Sequence, residues 1–300
     1  MISLPQTLLA RPVPGCSPSS ETGNGPASLL TIIDARRGYR WLNLSELWRY
    51  RELLYFLSWR DLKVRYRQAV LGVAWAIVQP LATMIVFSLF FARATTTASP
   101  ELPYSLFVFA GLLPWFFLSN SITAAGQSVV GSQNLVTKVY FPRLLIPTGA
   151  VLVGIVDFLI AFCLLVPFSF YYGKSPGWGL LWLPIVLIGL LIVSLGIGTL
   201  LAALTVAYRD FRYVVPFMVQ LWLFATPSIY IQSDAISSDM PRWLLAINPA
   251  YGLIACFRSS VLGVGVDASE LAISLAGGLG LLLVGNSYFH RVEGSFADII

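Results

Sequence analysis

Apolar and polar positions divide the chain into three stretches. Residues 11–28 (RPVPGCSPSSETGNGPAS) hold almost no large apolar side chain, and their Pro, Gly and Ser content predicts a flexible tail over 1–28. From Asn43 a helical period sets in. Asn43-Leu44-Ser45-Glu46 has the layout of a capping box, and Leu44, Leu47, Trp48, Tyr55, Trp59, Leu62 and Tyr66 then recur on one face. Arg49, Glu52, Arg60, Lys63 and Arg67 fall on the other. An aromatic stripe opposite a basic one predicts a helix held at a membrane interface by apolar burial and anionic head groups, within a segment 29–68.

Beyond residue 68 the pattern changes to six nearly uncharged runs: 69–92, 104–126, 144–171, 180–206, 213–231 and 270–289. Each is long enough to cross about 30 Å of hydrocarbon. With no water available to backbone groups, such runs form helices. The sequence thus predicts an all-α integral membrane fold: an interface helix followed by six transmembrane helices in a membrane domain 69–300. Pro80, Pro114, Pro167, Pro184, Pro216 and Pro227 should kink or end some of them. The apolar segment 243–266 is interrupted by Asn248-Pro249, Arg258 and Gly263, and reads as short re-entrant or interfacial helices on the outer side, before the last span.

Composition agrees. The 300 residues are 57% hydrophobic and only 11% charged, with a mean hydropathy of +0.77. With the amino terminus inside, fifteen of the nineteen Lys and Arg lie on the cytoplasmic side, leaving Arg93, Lys174, Arg242 and Arg258 outside. That asymmetry orients a multi-pass membrane protein with both termini expected on the cytoplasmic side. The basic residues form no face suited to nucleic acid.

Several chemistries are excluded by inventory. Cys16, Cys163 and Cys256 are odd in number and far apart, against a disulfide framework or cysteine metal site. A single histidine, His290, argues against a histidine metal site or a catalytic triad. Residues 1–10 lack the basic start and apolar core of a secretory signal, and no apolar stretch precedes Pro14-Gly15-Cys16 to make it a lipoprotein site. Gly173-Lys174-Ser175 resembles the end of a phosphate-binding loop, but Phe168 occupies the first glycine position and the triplet falls in an outer loop. The chain therefore carries no cofactor and no nucleotide site of its own. Asp61, Asp210 and Glu293 are isolated from one another, unlike the paired acids of a membrane glycosyltransferase or lipid phosphatase.

Four polar and aromatic features remain. Asp157 sits mid-span in VGIVDFLIAF, either as a functional carboxylate or as a hydrogen-bonded brace between helices; no basic residue shares its span. Trp115, Phe116 and Phe117 in the second span, Trp222 and Phe224 in the fifth and Trp75 in the first form a set of membrane-level rings, and sugars stack their C–H faces on such rings. Trp75, Trp115, Phe116 and Trp222 are the candidate glycan path. The loop QSVVGSQNLVTKVYFPR carries Lys138 and Arg143 and suggests a short amphipathic helix, or a plain topological anchor. Finally, Arg60, Lys63, Arg65 and Arg67 place cations at head-group level, where a guanidinium fork can grip two phosphate oxygens. Asp61 is expected to pair with Arg65 one turn later, leaving Arg60, Lys63 and Arg67 for lipid phosphate.

Read in order, Arg65-Tyr66-Arg67 with LGVAWAIVQP, then GLLPWFF, NLVTKVYFPR, AYRDFRYVVPF, TPSIY, NPAYGLIACFR and FHRVEGSFADII resemble the type 2 ABC exporter permeases for cell-surface polysaccharides and polyol phosphates, which include O-antigen and teichoic-acid export permeases. The resemblance covers roughly residues 29–300. It implies a homodimer of six-span subunits bound to two copies of an ATPase subunit that carries the ATP and Mg. It also implies coupling to that ATPase through the interface helix and the 127–143 loop, with Arg49, Glu52, Lys138 and Arg143 as the candidates. The segment 234–266 would gate the exit. The implied substrate is a glycan on a polyprenyl pyrophosphate lipid, in contact with membrane lipids, with O-antigen-like export the first expectation. Capsule or teichoic-acid export, drug or lipid export and a membrane glycosyltransferase are the alternatives.

Overall fold

A computed structural model of the protein describes residues 48–67, 72–95, 103–139, 141–173, 178–226, 248–263 and 265–296, all of them in the compact unit Arg40–Ile300. The predicted tail, the capping box at 43–46, and residues 234–247 of the expected gate segment 234–266 lie outside these residues. Every regular element described is a helix: α1 (Arg51–Arg67), α2 (Ala74–Thr95), α3 (Tyr104–Gly131), α4 (Gln133–Lys138), α5 (Leu145–Tyr171), α6 (Leu183–Ala207, entered through a 3-10 turn Trp178–Trp182), α7 (Phe211–Phe224), α8 (Pro249–Leu262) and α9 (Ala268–Val292, followed by a 3-10 turn Glu293–Ser295).

Five of these, α2, α3, α5, α6 with its entry turn and α9, are long and apolar enough to cross a membrane. The remaining predicted run, 213–231, gives the 14-residue α7, and residues 227–231 fall outside the description. The helices continue through Pro80, Pro114, Pro167 and Pro216, whereas Pro184 stands in the first turn of α6, where its missing N–H costs nothing.

The core forms around α3, buried along most of its length from Leu106 to Val129. The helices α5, α6 and α8 pack against it. In lipid, apolar surface alone draws helices together weakly, so close backbone approach between small residues has to supply the contact. Along α6 and α9 it does: a Cβ on Gly196 would stand 2.6 Å from the backbone N of Leu282, and one on Gly278 2.8 Å from Val193.

The apolar segment around 250 becomes α8, too short to span, and buried on nearly every residue. Asn248 caps it, accepting from the Ala250 N–H with Pro249 at the first position. Arg258, counted from sequence among the outer-loop cations, is instead only 6% exposed. Its guanidinium lies 3.9 Å over the Phe107 ring, an arrangement that replaces part of the lost hydration.

The helix α1 meets the rest of the protein through a narrow part of its surface. Leu57 is its buried residue, and Leu54, Leu57 and Ser58 meet Gly149 of α5. The predicted aromatic stripe faces outward, with Trp48 71%, Tyr55 61% and Trp59 52% exposed. Burial against the protein follows Leu54 and Leu57 because Gly149 admits them closely; the bulkier rings are left for the surroundings.

The Gly196 seam gives a direct test. Gly196→Ala should destabilise the purified protein by about 1–3 kcal/mol, because the methyl meets backbone that cannot rotate away. Gly131→Ala, with open space around its Cβ, should leave the midpoint of thermal unfolding in detergent unchanged or slightly raised. Equal midpoints for the two variants would contradict the seam.

Candidate functional site: a charged and aromatic cavity at the end of the first helix

The carboxylate of Asp157 stands halfway along α5. Its partners come from α1: Arg65 Nη1 donates to Asp157 Oδ2 at 2.5 Å, and the Tyr66 hydroxyl donates to Oδ1. Ser58 also donates to the Gly149 carbonyl, at 3.4 Å. The Ser58 and Tyr66 contacts are eight residues apart on each helix, roughly 12 Å of rise. The end of α1 therefore runs alongside α5 in the same direction and delivers its cation to the middle of the neighbouring helix. Sequence reasoning looked for a partner within the span; the partner lies 92 residues away. The expected Asp61–Arg65 pair is not formed: Asp61 pairs with its neighbour Arg60 at 2.8 Å, and Arg65 with Asp157, whose less exposed carboxylate (18% against 40%) has more to gain from a partner.

Burial, reinforced by the Asp157 carboxylate that accepts its hydrogen bond, pushes the Tyr66 phenol well above its ordinary range. The hydroxyl thus stays protonated and remains a donor at any physiological pH.

Arg65, Tyr66 and Asp157 form one wall of a cavity of about 540 Å³, within the size range of small-ligand sites. Trp75 and Gln79 of α2 and Phe116 and Asn120 of α3 line the others. The cavity therefore joins a guanidinium, a carboxylate and two primary amides to an indole and a phenyl face. Such a set can bind an anionic group at one end and hydroxyls and a C–H face at the other. Gln79 and Asn120 were missed from sequence, although a polar side chain inside an apolar run was the signal available for both.

Of the expected residues, Arg65, Trp75, Phe116 and Asp157 converge here; Arg60, Lys63 and Arg67 do not line the cavity. Lys63 and Arg67 are exposed, and Arg60 is engaged with Asp61. Trp115 and Trp222 do not join it either. Trp115 is 3% exposed and meets Trp222 edge-on at 5.6 Å, while the Trp222 indole N–H donates to Asn248 at 3.1 Å. Asn248 donates in turn to Thr226 at 2.9 Å. These two rings brace α3 against α7 and the cap of α8.

The candidate coupling residues surround a second apolar cluster, in which Leu57, Val136 of α4, Phe141, Val206, Phe289 and Phe296 meet. Arg49, Glu52 and Lys138 are exposed around it. Arg143, by contrast, donates to the Glu293 carbonyl and stands 6.0 Å over the Phe296 ring. It clamps the carboxy-terminal turn, where the Glu293 carbonyl also accepts the Phe296 backbone N–H.

This clamp predicts unequal variants. Phe296→Ala removes a fully buried ring, at a cost of about 3–5 kcal/mol, and Arg143→Ala removes the donor to the tail. Both should speed limited proteolysis of the carboxy-terminal residues, whereas exposed Lys138→Ala should not. Wild-type protease resistance in the first two variants would refute the clamp.

Comparison with known proteins places these features. The family model described as ABC-2 type transporter matches residues 52–262, the stretch that contains the whole cavity. A protein named O-antigen export system permease protein RfbA, from Myxococcus xanthus, is 32% identical over 256 residues, covering 85% of this chain and 98% of that protein. A protein of the same name from Klebsiella pneumoniae is 30% identical over 250 residues, covering 83% of this chain and 95% of its own length. With five long apolar helices, a short buried helix before the last of them and a family match from α1 to α8, this multi-pass membrane protein belongs to the ABC-2 type transporter family.

Proposed function

We propose that the chain is the membrane permease subunit of an ATP-driven exporter that moves a lipid-linked polysaccharide, O-antigen-like, across the bacterial inner membrane. The observation that carries this reading is the similarity along nearly the full length of relatives that bear the O-antigen export name. The cavity chemistry supports it, since a guanidinium beside aromatic and amide side chains suits a phosphate joined to sugar. The chain has no nucleotide-binding motif, so hydrolysis belongs to a separate ATPase subunit that binds ATP and Mg. Two permease chains associate with two such subunits on the cytoplasmic side, docked near Arg49, Glu52 and Lys138, with both termini on that side.

Deleting the chain should abolish polysaccharide display at the cell surface, with lipid-linked glycan accumulating on the cytoplasmic face, and expression from a plasmid should restore display. Purified alone, the chain should hydrolyse no ATP; co-expressed with its ATPase, it should purify as a complex of two copies each. Undiminished surface polysaccharide in the deletion strain would overturn the export reading, and ATP hydrolysis by the isolated chain would overturn the division of labour.

A further inference from the structure

The ion pair at the cavity wall is incomplete in a way that points to an exchangeable ligand. Asp157 takes one nitrogen of the Arg65 guanidinium, Nη1, yet the group has five N–H donors arranged to grip two oxygens at once. The Arg65 side chain is 41% exposed and lines the cavity. Asp157 is 18% exposed and has a second donor in the Tyr66 hydroxyl, so it keeps a partner if the guanidinium turns away. Arg60, by contrast, offers Asp61 two nitrogens, Nε at 2.9 Å and Nη2 at 2.8 Å, the arrangement expected of a settled surface pair.

We propose that this cavity is a phosphate-binding site in which a ligand phosphate and the Asp157 carboxylate compete for the guanidinium of Arg65. The phosphate offers the fork two or more oxygens with correct spacing, where Asp157 supplies one. Trp75 and Phe116 flank the site for an apolar or sugar face next to the phosphate, and Gln79 and Asn120 supply hydroxyl partners. Competition with Asp157 holds affinity down, which suits a group that must leave the site as readily as it enters. The assignment rests on the proposed function only in taking the exported lipid to carry a phosphate. A prenyl diphosphate and the head group of a bulk anionic phospholipid share the required chemistry.

The competition has a signature that a structural ion pair lacks: its two partners should have opposite effects. The test is equilibrium binding of radiolabelled farnesyl pyrophosphate to the full chain in phosphatidylcholine nanodiscs. Arg65→Gln should reduce binding at least tenfold, and Arg65→Lys should restore it only in part, since an ammonium keeps charge and loses the fork. Asp157→Asn, which retains an acceptor for Tyr66, should tighten binding about fivefold, because the competent, unpaired Arg65 becomes the resident state. Thermal unfolding in the same nanodiscs separates this from misfolding: a variant that binds more tightly than wild type is folded. Competition then identifies the source. Displacement by equimolar phosphatidylglycerol assigns the site to bulk lipid, whereas resistance to it assigns the site to the prenyl diphosphate. Wild-type binding by Arg65→Gln, or weakened binding by Asp157→Asn, would overturn the proposal. Binding is measured without export, so the site can stand if the export reading falls, and the reverse.

Discussion

A carboxylate halfway along an apolar helix must be neutralised from outside that helix, and the geometry around α5 follows from this requirement. Asp157 has no cation within its own span, and water cannot stabilise it at that depth at low cost. The helix α1 supplies both a guanidinium and a phenol, which obliges it to run along α5 and places its end on the same cavity as Trp75 and Gln79 of α2. Gly149 makes the approach possible by admitting Leu54, Leu57 and Ser58. The cavity is a consequence of the same contact, since the side chains that satisfy Asp157 also wall it.

The remaining helices are held by a different force. Lipid tails solvate leucine as well as another helix does, so α6 and α9 stay together through van der Waals contact that glycine makes possible at Gly196 and Gly278. The helix α3 lies within this frame and contributes few polar groups, among them Asn120, which faces the cavity. The buried α8 adds a charge to the interior, Arg258, offset in part by the face of Phe107. Each interior charge thus has a named neighbour.

Two turns earlier along α1, Leu57 belongs to the second apolar cluster, and Arg143 binds the carboxy-terminal turn into the same place. One helix therefore touches both the cavity and the surface that carries Arg49, Glu52 and Lys138.

The sequence by itself determined the class, the helices and most of their limits, because a run of about twenty uncharged residues has only one stable form in lipid. Runs expected at 104–126, 144–171 and 270–289 are the helices Tyr104–Gly131, Leu145–Tyr171 and Ala268–Val292. Motif order was equally legible, and the family model matching residues 52–262 agrees with it. Only the tertiary structure decided who pairs with whom. Asp61 and Arg65 have helical spacing, yet a less exposed carboxylate 92 residues distant takes Arg65. Trp115 and Phe116 are adjacent in sequence and both aromatic, but successive helical positions point about 100° apart, so one ring packs on Trp222 and the other lines the cavity. Arg143 reads from sequence as a coupling or anchoring cation, and only the fold brings the Glu293 carbonyl, 150 residues away, to it. Periodicity tells which side of a helix is apolar, whereas a partner from a distant segment is fixed only when the helices assemble.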